Sequence, residues 1–119
     1  MDMLYYIYIG SNRVTIDHLS KITGGMFMAV SSCNKAAKVI DGIRERYNTS
    51  ILYEESTPQK DSQNITFLHK RFPRVYIILI TEGLQKEHRK LYLQAGVNNT
   101  LSPMASEESL QQMTKFLQL

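Results

Sequence analysis

The 119-residue chain has a single cysteine, Cys33, which excludes an internal disulfide. Its three histidines, His18, His69 and His88, stand far apart, so neither Cys nor His offers a metal-ligand spacing. A reducing cytoplasm is the expected setting. Charge of one sign is also scarce: 14 Lys+Arg against 11 Asp+Glu leave a net +3. A dedicated nucleic-acid binder concentrates far more positive charge on one face. Basic groups do cluster locally, at His69, Lys70, Arg71 and Arg74 and at Lys86, His88, Arg89 and Lys90. Both clusters read as solvated helix surface. There is no long hydrophobic run. Leu4 to Ile9 is too short for a signal-peptide core or a membrane span, and Asp2 precedes it. Repeats and low-complexity stretches are absent too.

What is present is an ordinary globular composition. Hydrophobic residues make up 43% and charged residues 21%, which excludes disorder. The length suits one domain with one core.

The chain alternates strand with helix five times. Leu4–Ile9 is β-branched and aromatic and ends at Gly10-Ser11-Asn12. Val14–Thr23 follows as a short helix with Val14, Ile16, Leu19 and Ile22 inward, broken by Gly24-Gly25. Met26–Val30 is the second strand, and Ser31 or Ser32 caps a helix with Ala36, Ile40, Ile43 and Tyr47 on one face, ended by Asn48. Ser50–Tyr53 is the third strand. The polar stretch Glu54–Asn64 reads as one loop, with a helix over Gln63–Arg71 burying Ile65, Leu68 and Phe72. Val75–Ile80 is the most apolar run and belongs in the middle of a parallel sheet. Leu84–Ala95 is a helix with Leu84, His88, Leu91 and Ala95 along one face and Gly96 as C-cap. Val97–Ser102 is a weak last strand. Ser106 opens the final helix, whose stripe is Leu110, Met113, Phe116 and Leu117.

Such alternation predicts a flavodoxin-like α/β fold: a doubly wound (βα)5 unit, five parallel strands with helices on both faces. Sites in these sheets lie beyond the C-terminal strand ends, where strand order reverses. That singles out Gly10-Ser11-Asn12, Glu54-Glu55, Thr81 and Ser102-Pro103.

The second half resembles receiver domains of two-component response regulators. In those domains an apolar strand ends in Thr or Ser, a helix ends in Ala-Gly, and a short strand leads to Lys-Pro. Here the counterparts are Ile77-Ile78-Leu79-Ile80-Thr81, Ala95-Gly96 and Leu101-Ser102-Pro103. Receivers also place a Pro four residues after their acceptor Asp, and counting back from Pro58 gives Glu54. The resemblance implies a site in which an acidic pair and the acceptor hold Mg²⁺, a Lys pairs with the phosphoryl group, and a Thr or Ser hydroxyl carries the switch.

Most of these parts are missing. Gly10-Ser11, or Ser11-Asn12 with a one-residue shift, stand at the acidic pair. Glu54 stands at the acceptor and Ser102 at the Lys; only Thr81 matches. Mg²⁺ would be held poorly and phosphoryl transfer would lose most of its electrostatic support. The expectation is therefore a degenerate, atypical pseudo-receiver, not an enzyme and without cofactor or metal, that acts in bacterial signal transduction or transcriptional control by binding itself or another protein. Glu54 and Glu55 read as solvated loop carboxylates, or Glu54 as a fixed stand-in for an acyl phosphate. Thr81 reads as a turn cap or a switch residue. Cys33, beside a helix N-terminus, reads as packing rather than a reactive thiol.

The resemblance also implies an interaction face on the fourth helix, fifth strand and fifth helix, carrying Lys86, Arg89, Lys90, Tyr92, Glu107 and Gln111. Residues 1–119 are expected to form one domain, with an N-terminal position in a longer protein left open. An output domain there is the one route to nucleic acid that the receiver reading leaves open. No membrane contact is expected. The competing classes are a small flavodoxin-like enzyme or nucleotide or flavin binder, a still phosphorylatable response regulator, and a binder of nucleic acid through the basic helix faces. Against the first, Gly10-Ser11-Asn12-Arg13 forms neither of the Gly-rich phosphate loops.

Overall fold

The computed structural model describes residues 3–118. Five strands, β1 (Met3–Ile9), β2 (Phe27–Val30), β3 (Tyr47–Glu54), β4 (Tyr76–Ile80) and β5 (Asn99–Leu101), form one parallel sheet in the order β2-β1-β3-β4-β5. Five helices connect or follow them: α1 (Arg13–Ile22), α2 (Cys33–Ile43), α3 (Pro58–Arg71), α4 (Lys86–Ala95) and α5 (Glu107–Thr114), the last running into a 3-10 turn (Lys115–Gln118). The predicted flavodoxin-like architecture is the observed one. No helix among the described residues is long and apolar enough to cross a membrane.

Alternation along the strands divides the core in two. Ile7, Ile9, Ile51, Tyr53, Ile77 and Leu79 face α2, α3 and α4, meeting Ala36, Ile40, Ile65, Leu68 and Tyr92. Tyr6, Tyr8, Leu52, Ile78 and Ile80 face the other way, toward Leu19 and Leu110 of α1 and α5. The central strands are apolar on both faces because both faces are covered. The sheet order reverses between β1 and β3, so their C-terminal ends frame the crevice of the fold.

Several local expectations are corrected. Helix α2 stops at Ile43, and Tyr47 and Asn48 open β3 instead of closing the helix. The Tyr5 and Tyr47 rings pack at 5.5 Å, which favours the strand for Tyr47. Helix α3 starts at Pro58, so most of the expected Glu54–Asn64 loop is helical. Proline is well placed at a helix start, where its missing N–H costs nothing. Position 61 continues the inward row 61, 65, 68, 72, but it carries Asp61, and this charged residue breaks the apolar period that would have marked the helix. Val14 is 68% exposed, not inward; Thr15 and Leu19 take the buried side of α1. Phe116 is also largely exposed, its ring edge-on to Tyr76 at 5.1 Å. Of the two candidate caps, Ser32 is the one used; it accepts from the Lys35 amide at 3.2 Å. Gly96 ends α4 at φ +124°, and a Cβ there would lie 2.7 Å from the His69 ring.

Candidate functional site

The C-terminal ends of β1, β3 and β4 gather the residues singled out by sequence, and Glu54 is their centre. It is the last residue of β3, beside Gly10 at the end of β1. Its Oε1 accepts from the Tyr8 hydroxyl at 2.6 Å and from the Asn12 amide at 2.8 Å. The Ser11 amide lies at 3.2 and 3.3 Å from the two carboxylate oxygens. The backbone of the β1–α1 loop thus wraps the carboxylate at the start of α1, where the helix dipole favours negative charge. Asn12 also caps that helix, accepting from the Thr15 amide.

Gly10 makes this approach possible. A Cβ at position 10 would stand 2.5 Å from the Cβ of Glu54 and 2.6 Å from its carboxyl carbon and Oε1. Tyr8 is fully buried. Burial, reinforced by Glu54, pushes its phenol far above the ordinary tyrosine range, so it stays a donor.

Thr81, buried just after β4, donates to Glu55 Oε1 at 2.7 Å and accepts from the Gly83 amide at 3.2 Å. It does cap the next turn, but its partner is Glu55, not Glu54. Neither glutamate is the freely solvated loop residue that the sequence suggested: both are half-buried and hydrogen-bonded. Ser102 is exposed and closes its own turn by accepting from the Met104 amide. Pro103, not Ser102, reaches the open depression of about 440 Å³ shared by Tyr8, Asn12, Glu54, Glu55 and Thr81. Its charged lining residues are Glu54, Glu55 and Glu82, with no lysine or arginine among them.

The Mg²⁺ that the receiver resemblance implies does not fit this arrangement. Gly10 and Ser11 bring no carboxylate, and the oxygens of Glu54 are met by one phenolic and two amide hydrogens. A cation there would have to displace these donors and face them. No group of three or more His, Cys, Asp and Glu among the described residues has metal-binding geometry.

A second acidic cluster escaped the sequence. Asp61, 1% exposed on the first turns of α3, accepts from Tyr92 (2.8 Å), Tyr53 (3.2 Å) and the Ser56 amide (2.7 Å). Asn64 donates to the Tyr53 hydroxyl at 2.9 Å. Burial raises both phenols well above their usual range, and both remain neutral donors beside the carboxylate. The signal was an acid at helical spacing before Ile65 and just after Pro58. This cluster also corrects the expected interaction face: Tyr92 is completely buried, held inward by Asp61. Lys86, Arg89 and Lys90 on α4 and Glu107 and Gln111 on α5 are exposed as expected, the last two hydrogen-bonded to each other at 3.1 Å. Cys33 sits near Asp61; burial first, and that charge second, push its thiol up to about 11. It is a packing residue against the α2–α3 core.

No protein-family model matches the chain, nor does any curated protein sequence. Solved structures do match. The signal receiver domain of an HD domain-containing protein from Pseudomonas fluorescens superposes with a TM-score of 0.77 at 14% identity, covering 98% of this chain and 88% of that one. A two-component response regulator from Legionella pneumophila gives 0.76 at 13% identity, over 97% and 98% of the two chains. Chemotaxis protein CheY4 from Vibrio cholerae gives 0.75 at 10% identity, over 98% and 99%. The likeness at these identities is one of architecture, and it agrees with the strand order: this chain has the fold of a response-regulator receiver domain.

Proposed function

We propose that the chain is a receiver-like signalling module that works without phosphorylation, by binding itself or another protein. The observation that carries this reading is that the carboxylate of Glu54 is hydrogen-bonded within the protein. A carboxylate that already accepts from Tyr8, Ser11 and Asn12 is a poor nucleophile, because its lone pairs are engaged and no lysine or arginine lines the depression it shares with Thr81. Three glutamates around the depression would also repel an incoming phosphate.

The module is proposed to be a cytoplasmic, bacterial, non-enzymatic domain, and the phosphorylation-site positions Gly10, Ser11, Glu54, Thr81 and Ser102 to be structural remnants. Its binding face is proposed to be the exposed sides of α4 and α5, with Lys86, Arg89 and Lys90 on one helix and Glu107 on the other. Opposite charges on the two helices suit a face that meets its own copy. Incubation with Mg²⁺ and acetyl phosphate, read by intact-protein mass spectrometry, tests the first half. The expected result is no added phosphoryl group while a conventional receiver labels; a stoichiometric, Mg²⁺-dependent adduct overturns it. Charge reversal of Arg89 and Lys90 tests the second half, and an unchanged oligomeric state would show that the face lies elsewhere.

A further inference from the structure

The two edges of the sheet are finished differently. At the β5 edge the Leu101 carbonyl accepts from the Thr81 amide, so Leu101 turns toward β4 and Thr100 turns outward. The outward amide of Thr100 is covered by the Asn99 side chain at 2.9 Å. At the β2 edge the Met26 and Val30 carbonyls accept from the Tyr6 and Gly10 amides. Alternation therefore turns Met26, Met28 and Val30 toward β1, and Phe27 and Ala29 outward. The N–H and C=O groups of Phe27 and Ala29 have no hydrogen-bond partner among the described residues.

The side chains leave this edge unshielded. Between Lys21 and Lys35 there is neither a charged residue nor a proline, the devices with which proteins ordinarily blunt an edge strand. Met28 is 40% exposed and Ala29 is exposed as well. The turn that leads in, Gly24-Gly25, has open space where side chains would stand. The strand itself is firmly seated, with the Phe27 ring packed 6.1 Å from Tyr8 on the α1 side of the core.

We propose that β2 is a pairing edge, on which β2 of a second copy docks antiparallel about a two-fold axis through Met28. The register follows from the free backbone groups. With Met28 opposite its counterpart, Phe27 faces Ala29 of the second copy and Ala29 faces Phe27. Each of these pairs exchanges both of its hydrogen bonds, so every free group on the two strands is used. Met28 falls at the non-hydrogen-bonded position, where facing side chains come closest, and two exposed thioethers cover each other. A second copy is the occupant because the contact is isologous: one uncharged segment supplies both sides and sets no like charges against each other. Pairing one short strand buries less than a standard interface, so the dimer is a weak one, with a dissociation constant on the order of 100 µM. This edge lies across the sheet from α4 and β5, so the contact is independent of the face proposed above.

Sedimentation velocity of the full chain carrying Arg89→Glu and Lys90→Glu separates this contact from that face. A concentration-dependent dimer is expected as the protein is raised to about 1 mM. Met28→Glu sets two carboxylates opposite each other and should weaken association about tenfold or more. Ala29→Pro removes an outward N–H that β1 does not use, so the sheet keeps its ladder while the dimer is lost. In a Cys33→Ala background, Met28→Cys should oxidise to a disulfide-linked dimer, since the facing Cα atoms would lie about 4.5 Å apart. Lys60→Cys, exposed on α3, should not. The proposal is overturned if the chain stays monomeric to that concentration, if the dimer survives both Met28→Glu and Ala29→Pro, or if Lys60→Cys cross-links as readily as Met28→Cys.

Discussion

Glu54 and Asp61 flank the exit of β3 and are solved in the same way. Glu54 is held by one tyrosine hydroxyl and two backbone amides, Asp61 by two hydroxyls and one amide, and neither makes an ion pair among the described residues. They differ in depth: Asp61 is 1% exposed, whereas Glu54 is half-buried at the rim of an open depression. Water can replace a lost partner of Glu54 and cannot reach Asp61. The same bonding is therefore structural in the interior, where it fixes β3, α3 and α4 to one another. At the rim it ties the end of β3 to the β1–α1 loop and, in the function proposed above, withholds the carboxylate from chemistry.

Substitutions should expose that difference in order of size. Asp61→Ala leaves two buried phenols, and the Ser56 amide nearer the surface, without an acceptor. Each such group costs about 1–3 kcal/mol, offset in part by the relief of a buried charge, so a net loss of about 3 kcal/mol is expected from urea denaturation. Gly10→Ala comes next. Its Cβ meets Glu54 at 2.5 Å, and overpacking of this kind costs about 1–3 kcal/mol. It should also shift the amide resonances of Ser11 and Asn12 as the carboxylate is pushed away. Glu54→Gln should cost only about 1 kcal/mol, because solvent compensates at the rim. A loss there equal to that of Asp61→Ala would erase the distinction drawn between the two sites.

The smallest effect on stability is read at Cys33, through its reactivity. With its thiol raised from 9.0 to about 11, alkylation at pH 8 should be roughly a hundredfold slower than for a free thiol, in proportion to the thiolate fraction. The sign for stability follows from linkage: the contribution of the protonated thiol is complete below pH 9 and is lost as pH rises through 11. Cys33→Ala should flatten that part of the alkaline loss. Removing the negative charge in Asp61→Asn should speed alkylation, since Asp61 is the second cause of the shift.

The sequence displayed the sheet well and the site only in part. Ile77–Ile80 and Leu4–Ile9 are apolar or aromatic nearly throughout, and their strands lie close to where that pattern put them. Gly10, Glu54 and Thr81 were located by topology and by the spacing to Pro58, because strand ends are fixed by chain order. What they touch was not legible. That Glu54 turns toward β1 depends on the missing Cβ of Gly10, 44 positions earlier in the chain, and no local pattern encodes such a pairing. Asp61 was hidden for the opposite reason: a charged residue in an inward helical position reads as a loop. Tyr92 was misplaced with it, because an amphipathic side chain on a polar helix looks like surface until its hydroxyl has an interior partner.

The closeness of Gly10 to Glu54 also bears on whether this site could accept an acidic side chain at position 10. The nearest obstacle to a side chain at position 10 is the Cβ of Glu54, an atom that every residue except glycine possesses. Exchanging Glu54 for the shorter aspartate would leave that obstacle in place. An acid introduced at position 10 would need the ends of β1 and β3 to move apart first. In sequence space the two positions lock each other: no substitution at 54 other than glycine clears the space that a side chain at 10 would need.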